Sequence, residues 1–160
     1  YMLNNPETLN EFINDFHIVD LPPARFCIEI TEDGDIPTEH LIPAIEILRT
    51  HGFSISMDDF GTGYSSLGRL SVLPVDSVKI DRSLLLTASG GNKAILESAI
   101  TLVKRLGVSS VIEGVETMEQ LNLCKSLGAD SVQGYLFSKP VHAKHATKFS
   151  LYAADIVTEF

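Results

Sequence analysis

The sequence predicts an α/β fold: a partial (β/α) barrel of about five parallel strands with outer helices. Three observations predict it. Strand-like and helix-like segments alternate along the whole chain, with short loops between them. The helical segments carry apolar residues at i, i+3 and i+4 spacing, so each has one face to bury. Finally, every strand-like segment ends on an apolar residue followed by a polar or charged one. The five pairs are Ile28-Glu29, Met57-Asp58, Val78-Lys79, Ile112-Glu113 and Val132-Gln133.

Taken in order, Pro6 to about His17 is helical and Arg25 to Ile30 is the first strand. A helix from about Thr38 places Leu41, Ala44, Ile45 and Leu48 on one face and stops at Gly52. The second strand is Phe53 to Asp58. The loop Gly61-Thr62-Gly63-Tyr64-Ser65-Ser66 leads to a short helix ending near Pro74, and the third strand covers Val75 to Asp81. A longer helix carries Ile95, Ala99, Leu102, Val103 and Leu106 on one face and ends at Gly107. The fourth strand is Ser109 to Glu113. Thr117-Met118-Glu119-Gln120 is a capping-box pattern opening a helix that stops at Gly128. Ser131 to Tyr135 is the fifth strand, and a C-terminal helix runs from roughly His142 to Val157. No linker or low-complexity tract divides the chain, which predicts one domain over residues 1–160.

Alternation along a strand sends the two members of each terminal pair to opposite faces. The apolar members pack under the outer helices, so the polar members share the other face with Ser54, Ser56, Ser77 and Ser131. Both faces of an open doubly wound sheet are covered by helices, which would bury those charges. In a TIM-type barrel that face is the interior, and active sites form at its C-terminal mouth. A strand-end charge meeting solvent is ordinary for one strand, but five strands behaving alike favour the barrel.

The residue types then suggest chemistry. Glu29, Asp58, Asp59 and Glu113 would converge as four carboxylates, repelling by an amount on the order of several kcal/mol at an effective dielectric of about 20. Divalent cations with oxygen ligands remove that penalty, which points to Mg²⁺ or Mn²⁺. Adjacent carboxylates at Asp58-Asp59 suit two ions, the arrangement that activates water for in-line phosphoryl displacement. Lys79 supplies a fixed positive group near the water or a phosphoryl oxygen, unless it is a structural salt bridge.

Bulk properties bound the partners. A net charge of −9 argues against duplex nucleic acid, which needs a basic face. It leaves open a phosphate ligand bridged by cations. No apolar run in the chain reaches the roughly 20 residues of a membrane span. The opening residues lack the pattern of a signal peptide, which predicts a cytoplasmic chain or a part of something larger. Cys27 and Cys124 lack metal spacing and are expected as buried, reduced thiols.

Five motifs in order carry a resemblance. Cys27-Ile28-Glu29-Ile30-Thr31-Glu32, Asp58-Asp59-Phe60-Gly61-Thr62-Gly63-Tyr64-Ser65-Ser66, Val78-Lys79-Ile80-Asp81, Glu113-Gly114-Val115-Glu116 and Gln133-Gly134-Tyr135, with Ser138-Lys139-Pro140 after, resemble the bacterial EAL family. The resemblance spans essentially the whole chain. It implies a barrel that hydrolyses cyclic di-GMP to the linear dinucleotide with two divalent ions. Glu29 and Asp58 then resemble ligands of the first ion, with Asp58 bridging, and Asp59 a ligand of the second. Glu113 resembles a metal or water ligand, or the general base, and Lys79 the lysine that orients the attacking water. Glu116 and Gln133 resemble the water and substrate shell, and Glu32 the residue that steadies the loop after Asp59.

Two departures from the family matter. Ile112 stands where alanine is usual, a small packing change. A barrel of this type also takes about 250 residues, whereas this chain has 160. The Glu-Ala-Leu segment that names the family and the Asn-bearing strand after it are not in the sequence, so the domain is expected to be N-terminally truncated and its hydrolysis impaired. Open strand edges predict self-association, as a homodimer or otherwise. The competing function is a non-catalytic module that binds cyclic di-GMP or contacts a protein. An enolase-like barrel is disfavoured by the Gly-rich loop after Asp59.

Overall fold

The computed structural model describes residues 2–31, 36–63, 66–142 and 144–145. Its strands form one sheet in the order β1-β2-β3-β4-β5. The chain divides into two compact units, Tyr1–Lys79 and Ile80–Phe160.

In the first unit, α1 (Pro6–Ile18) turns Leu9 and Ile13 inward. A 3-10 turn over Pro23–Arg25 precedes β1 (Cys27–Thr31), so Arg25 ends a turn instead of starting the expected strand. Proline-fixed φ at this point suits the turn. The helix α2 (Thr38–Thr50) buries the four predicted residues Leu41, Ala44, Ile45 and Leu48. After it come β2 (Ser54–Phe60), α3 (Ser66–Leu70) and the start of β3 (Ser77–Ile80). The first two strands pair in parallel, with Cys27 opposite Ser54, Glu29 opposite Ser56 and Thr31 opposite Asp58. Four phenylalanines tie α1 to the strand starts. Phe16 meets Phe26 and Phe53 edge-on at ring separations of 4.8 Å, and Phe12 closes the cluster at 5.6 Å from Phe53.

In the second unit the expected single helix is two. Asp81, expected as a strand residue, instead caps α4 (Arg82–Ser89), accepting the Ser83 N–H at 2.9 Å. Gly90 and Gly91 break the chain, Gly91 at φ +109°, before α5 (Ala94–Arg105). The buried face of α5 is Leu96, Ala99, Ile100 and Val103, while Ile95 and Leu106 are exposed. β4 (Ser109–Ile112) follows, and the predicted capping box of α6 (Met118–Ser126) is present between Thr117 and Gln120. β5 is only Ser131–Val132, paired in parallel with β4. The expected C-terminal helix lies almost entirely outside the described residues. No helix among the described residues is long and apolar enough to cross a membrane.

Each unit starts a strand with the same tripeptide, Asp-Ser-Val. Asp76 Oδ2 accepts the Ile55 N–H at 2.8 Å, and Asp130 Oδ2 accepts the Ser110 N–H and hydroxyl, both at 2.8 Å. The Ser131 hydroxyl donates back to the Ser110 carbonyl at 3.3 Å. These bonds hold β3 to β2 and β5 to β4 where the strands begin. Both cysteines are free, and Cys124 is buried, which pushes its thiol up to about 11. Cys27 is exposed, contrary to expectation, because β1 is an outer strand among the described residues and Cys27 shares the polar face of Glu29.

Candidate active site

In the first unit the ends of β1, β2 and β3 bring Glu29, Asp58 and Lys79 together. Strand alternation places all three on the face opposite the buried Ile30, Met57 and Val78. Lys79 Nζ lies 3.1 Å from Glu29 Oε1 and 2.9 Å from Asp58 Oδ1. The residue is only 9 % exposed, so its charge is tolerable because carboxylates flank it. Asp58 Oδ1 is itself buried and meets no donor in hydrogen-bonding geometry. Its contact with Lys79 is therefore an ion pair, with a lone pair left over.

Within β2, Asp59 breaks the regular strand conformation. An ordinary strand would send Asp58 and Asp59 to opposite faces, but Asp59 is left-handed at φ 59°. The turn is held by Thr62, whose N–H and hydroxyl both donate to the Asp59 carbonyl, at 3.3 and 3.1 Å. As a result the two consecutive carboxylates offer oxygens within 4.8 Å of each other. Carboxylate oxygens at that spacing fit a hard divalent cation. Glu32, Tyr64 and Ser65 lie outside the described residues.

In the second unit Glu113, Glu116 and Gln133 line one cavity of about 260 Å³ together with Arg82 and Tyr135. Glu113 is set by its N–H bond to the Ile80 carbonyl at 3.0 Å, and Gln133 by one to Ile112 at 2.8 Å. Glycine is needed at 134 because a Cβ there would overlap the Val115 backbone. This close turn replaces the expected end of β5. Neither Arg82 nor Tyr135 was assigned a role from sequence. Their signal was position alone, since Arg82 follows the Lys79-Ile80-Asp81 run and Tyr135 follows Gln133-Gly134.

Residues 2–140 match the model of the EAL domain. The chain belongs to the EAL family. It is similar to the cyclic di-GMP phosphodiesterase RocR of Pseudomonas aeruginosa, 38 % identical over 143 residues, which is 87 % of this chain and 36 % of RocR. Among solved EAL structures, it is similar to the PaMucR phosphodiesterase in complex with c-di-GMP, at a TM-score of 0.81 and 32 % identity. That match covers 91 % of this chain and 60 % of that one. Klebsiella pneumoniae BlrP1, solved as a manganese and cyclic di-GMP complex, matches at a TM-score of 0.77 and 30 % identity over 87 % of this chain and 36 % of that one. The chain thus spans about a third of RocR and of the BlrP1 chain. The EAL assignment and the α/β fold with its five-stranded sheet stand as expected from the sequence.

Proposed function

We propose that this EAL chain serves hydrolysis of cyclic di-GMP to the linear dinucleotide. The observation that carries the reading is Lys79, held 2.9 Å from Asp58 and 3.1 Å from Glu29, with an Asp59 carboxylate oxygen within 4.8 Å of one of Asp58. Glu29 and Asp58 would hold one Mg²⁺ or Mn²⁺, and Asp58 and Asp59 a second, with Glu113 adding a ligand. Bound ions would supply charge neutralisation and an acidified water. The ammonium of Lys79 donates hydrogen bonds that orient the attacking water. Glu113 accepts the proton as the water oxygen bonds to phosphorus, the P–O bond that closes the ring breaks, and the leaving ribose oxygen takes a proton from solvent. Glu116 and Gln133 face the nucleotide, and Glu32 steadies the loop after Asp59. We place the chain in the cytoplasm, within bacterial second-messenger signalling, and expect it to self-associate.

Incubation with cyclic di-GMP and Mn²⁺ tests the reading. Linear product formed by the unmodified chain and lost in Asp58→Asn is the expected result. Binding without product makes the chain a receptor, and neither binding nor product defeats both readings.

A further inference from the structure

The proposed chemistry leaves one contact at the site unused, the ion pair between Arg82 and Glu116. Arg82 is the first residue of α4, directly after the Asp81 cap, and its Nη1 lies 2.9 Å from Glu116 Oε1. To arrive there its stem crosses Gly114. A Cβ at residue 114 would overlap the Cγ and Cδ of Arg82, and Gly114 is also left-handed at φ +71°. The glycine is therefore required twice, by the backbone and by the passage of the arginine.

The main chain of Glu116 is fixed independently. Its N–H donates to Gln120 Oε1 at 2.7 Å, and Gln120 also completes the capping box of α6. With Arg82 on its carboxylate, Glu116 is held at both ends while it lines the cavity shared with Glu113 and Gln133. Stability does not account for this arrangement. The two side chains are 46 % and 36 % exposed, and ion pairs that open to water add little to folding. What a guanidinium does supply is direction, because its rigid fork sets the angle of the carboxylate it meets.

We propose that Arg82 is a positioning residue that aims the Glu116 carboxylate into the cavity, with Gly114 as the notch through which its stem passes. The inference rests on the proposal that the cavity takes cyclic di-GMP. Groups preorganised in this way gain their value when the ligand binds, since less ordering remains to be done.

A double-mutant cycle tests it, reading cyclic di-GMP affinity by calorimetry with Ca²⁺ as the divalent ion and thermal midpoints as a check on folding. Glu116→Gln should weaken binding about tenfold, and Arg82→Met about three- to tenfold, with midpoints nearly unchanged. The double variant should bind no more than about twofold worse than Glu116→Gln alone. Arg82→Lys should fall between the unmodified chain and Arg82→Met, having charge without the fork. If Arg82→Met unfolds the protein, the cycle is run with Arg82→Lys, and the same non-additivity is required. Losses that add would mean Arg82 meets the nucleotide itself, and unchanged affinity in Arg82→Met would make the pair a surface contact; either overturns the assignment. No binding by the unmodified chain overturns the proposed function and this inference with it, whereas additive losses overturn the inference alone.

Discussion

Lys79 is only 9 % exposed, and two carboxylates sit within 3.1 Å of its Nζ. It thereby acts as a counter-cation belonging to the chain, reducing the repulsion that Glu29, Asp58 and Asp59 would otherwise feel. Lys79→Met removes that cation. In EDTA the variant should lose about 1–3 kcal/mol of stability, toward the low end because Glu29 is half exposed and can be hydrated. Added Mn²⁺ should then raise the melting temperature of Lys79→Met by more than that of the unmodified chain, since only the variant lacks a resident cation. Equal shifts in calorimetric melts would show that the ammonium and the metal do not share carboxylates. That Glu29, Asp58 and Lys79 share one face was legible in the sequence, because strand alternation alone places them there. The same reading named Asp59 beside them but gave no hint of its backbone conformation. Nothing in an Asp-Asp pair announces a left-handed second residue, and only the Thr62 bonds to its carbonyl make that conformation visible.

At the level of elements, the sequence was most legible where one signal dominated. The α6 capping box and the α2 face were both correctly expected, the first from a four-residue pattern and the second from an unambiguous apolar stripe. For α5 the pattern was degenerate. Ile95, Ala99, Leu102, Val103 and Leu106 have helical spacing, and so do Leu96, Ala99, Ile100 and Val103; contact with the neighbouring elements, not period, decides between them. The helix α4 was missed because the run Leu84-Leu85-Leu86 has no clear period, and its start depends on a cap that reads equally as a strand end. The Asp-Ser-Val clamps were also invisible, since a surface Asp before a strand is common. Their weight can be measured. Asp130→Ala leaves the N–H and hydroxyl of Ser110 without their acceptor at 1 % exposure. Urea unfolding should show a loss of about 2–4 kcal/mol, from two buried groups at about 1–3 kcal/mol each with partial relaxation. A loss within error of zero would mean that other partners take over.

Across the whole chain, alternation of strand and helix was enough to infer the α/β class and about five parallel strands, because short strand–helix–strand units leave a parallel sheet as the simple solution. Among the described residues the strand order runs from β1 to β5. The two residues of β5 offer almost no edge, whereas β1 has five residues and an exposed polar face. Edges of that length recruit other strands. Sedimentation velocity should therefore show a dimer or larger species that grows with protein concentration, and a monomer at every concentration would count against the expectation. The Asp-Ser-Val clamps bear on how such a chain finds its structure. The clamp residues are 21 positions apart for Asp76 and Ile55 and 20 for Asp130 and Ser110. Closing loops so short costs little chain entropy, so each strand pair can settle its alignment before distant parts of the chain meet. A one-residue slip in either pair would break the clamp and turn Lys79 or Gln133 to the wrong face. The search for the native arrangement is thus decided locally, twice, by the same three residues.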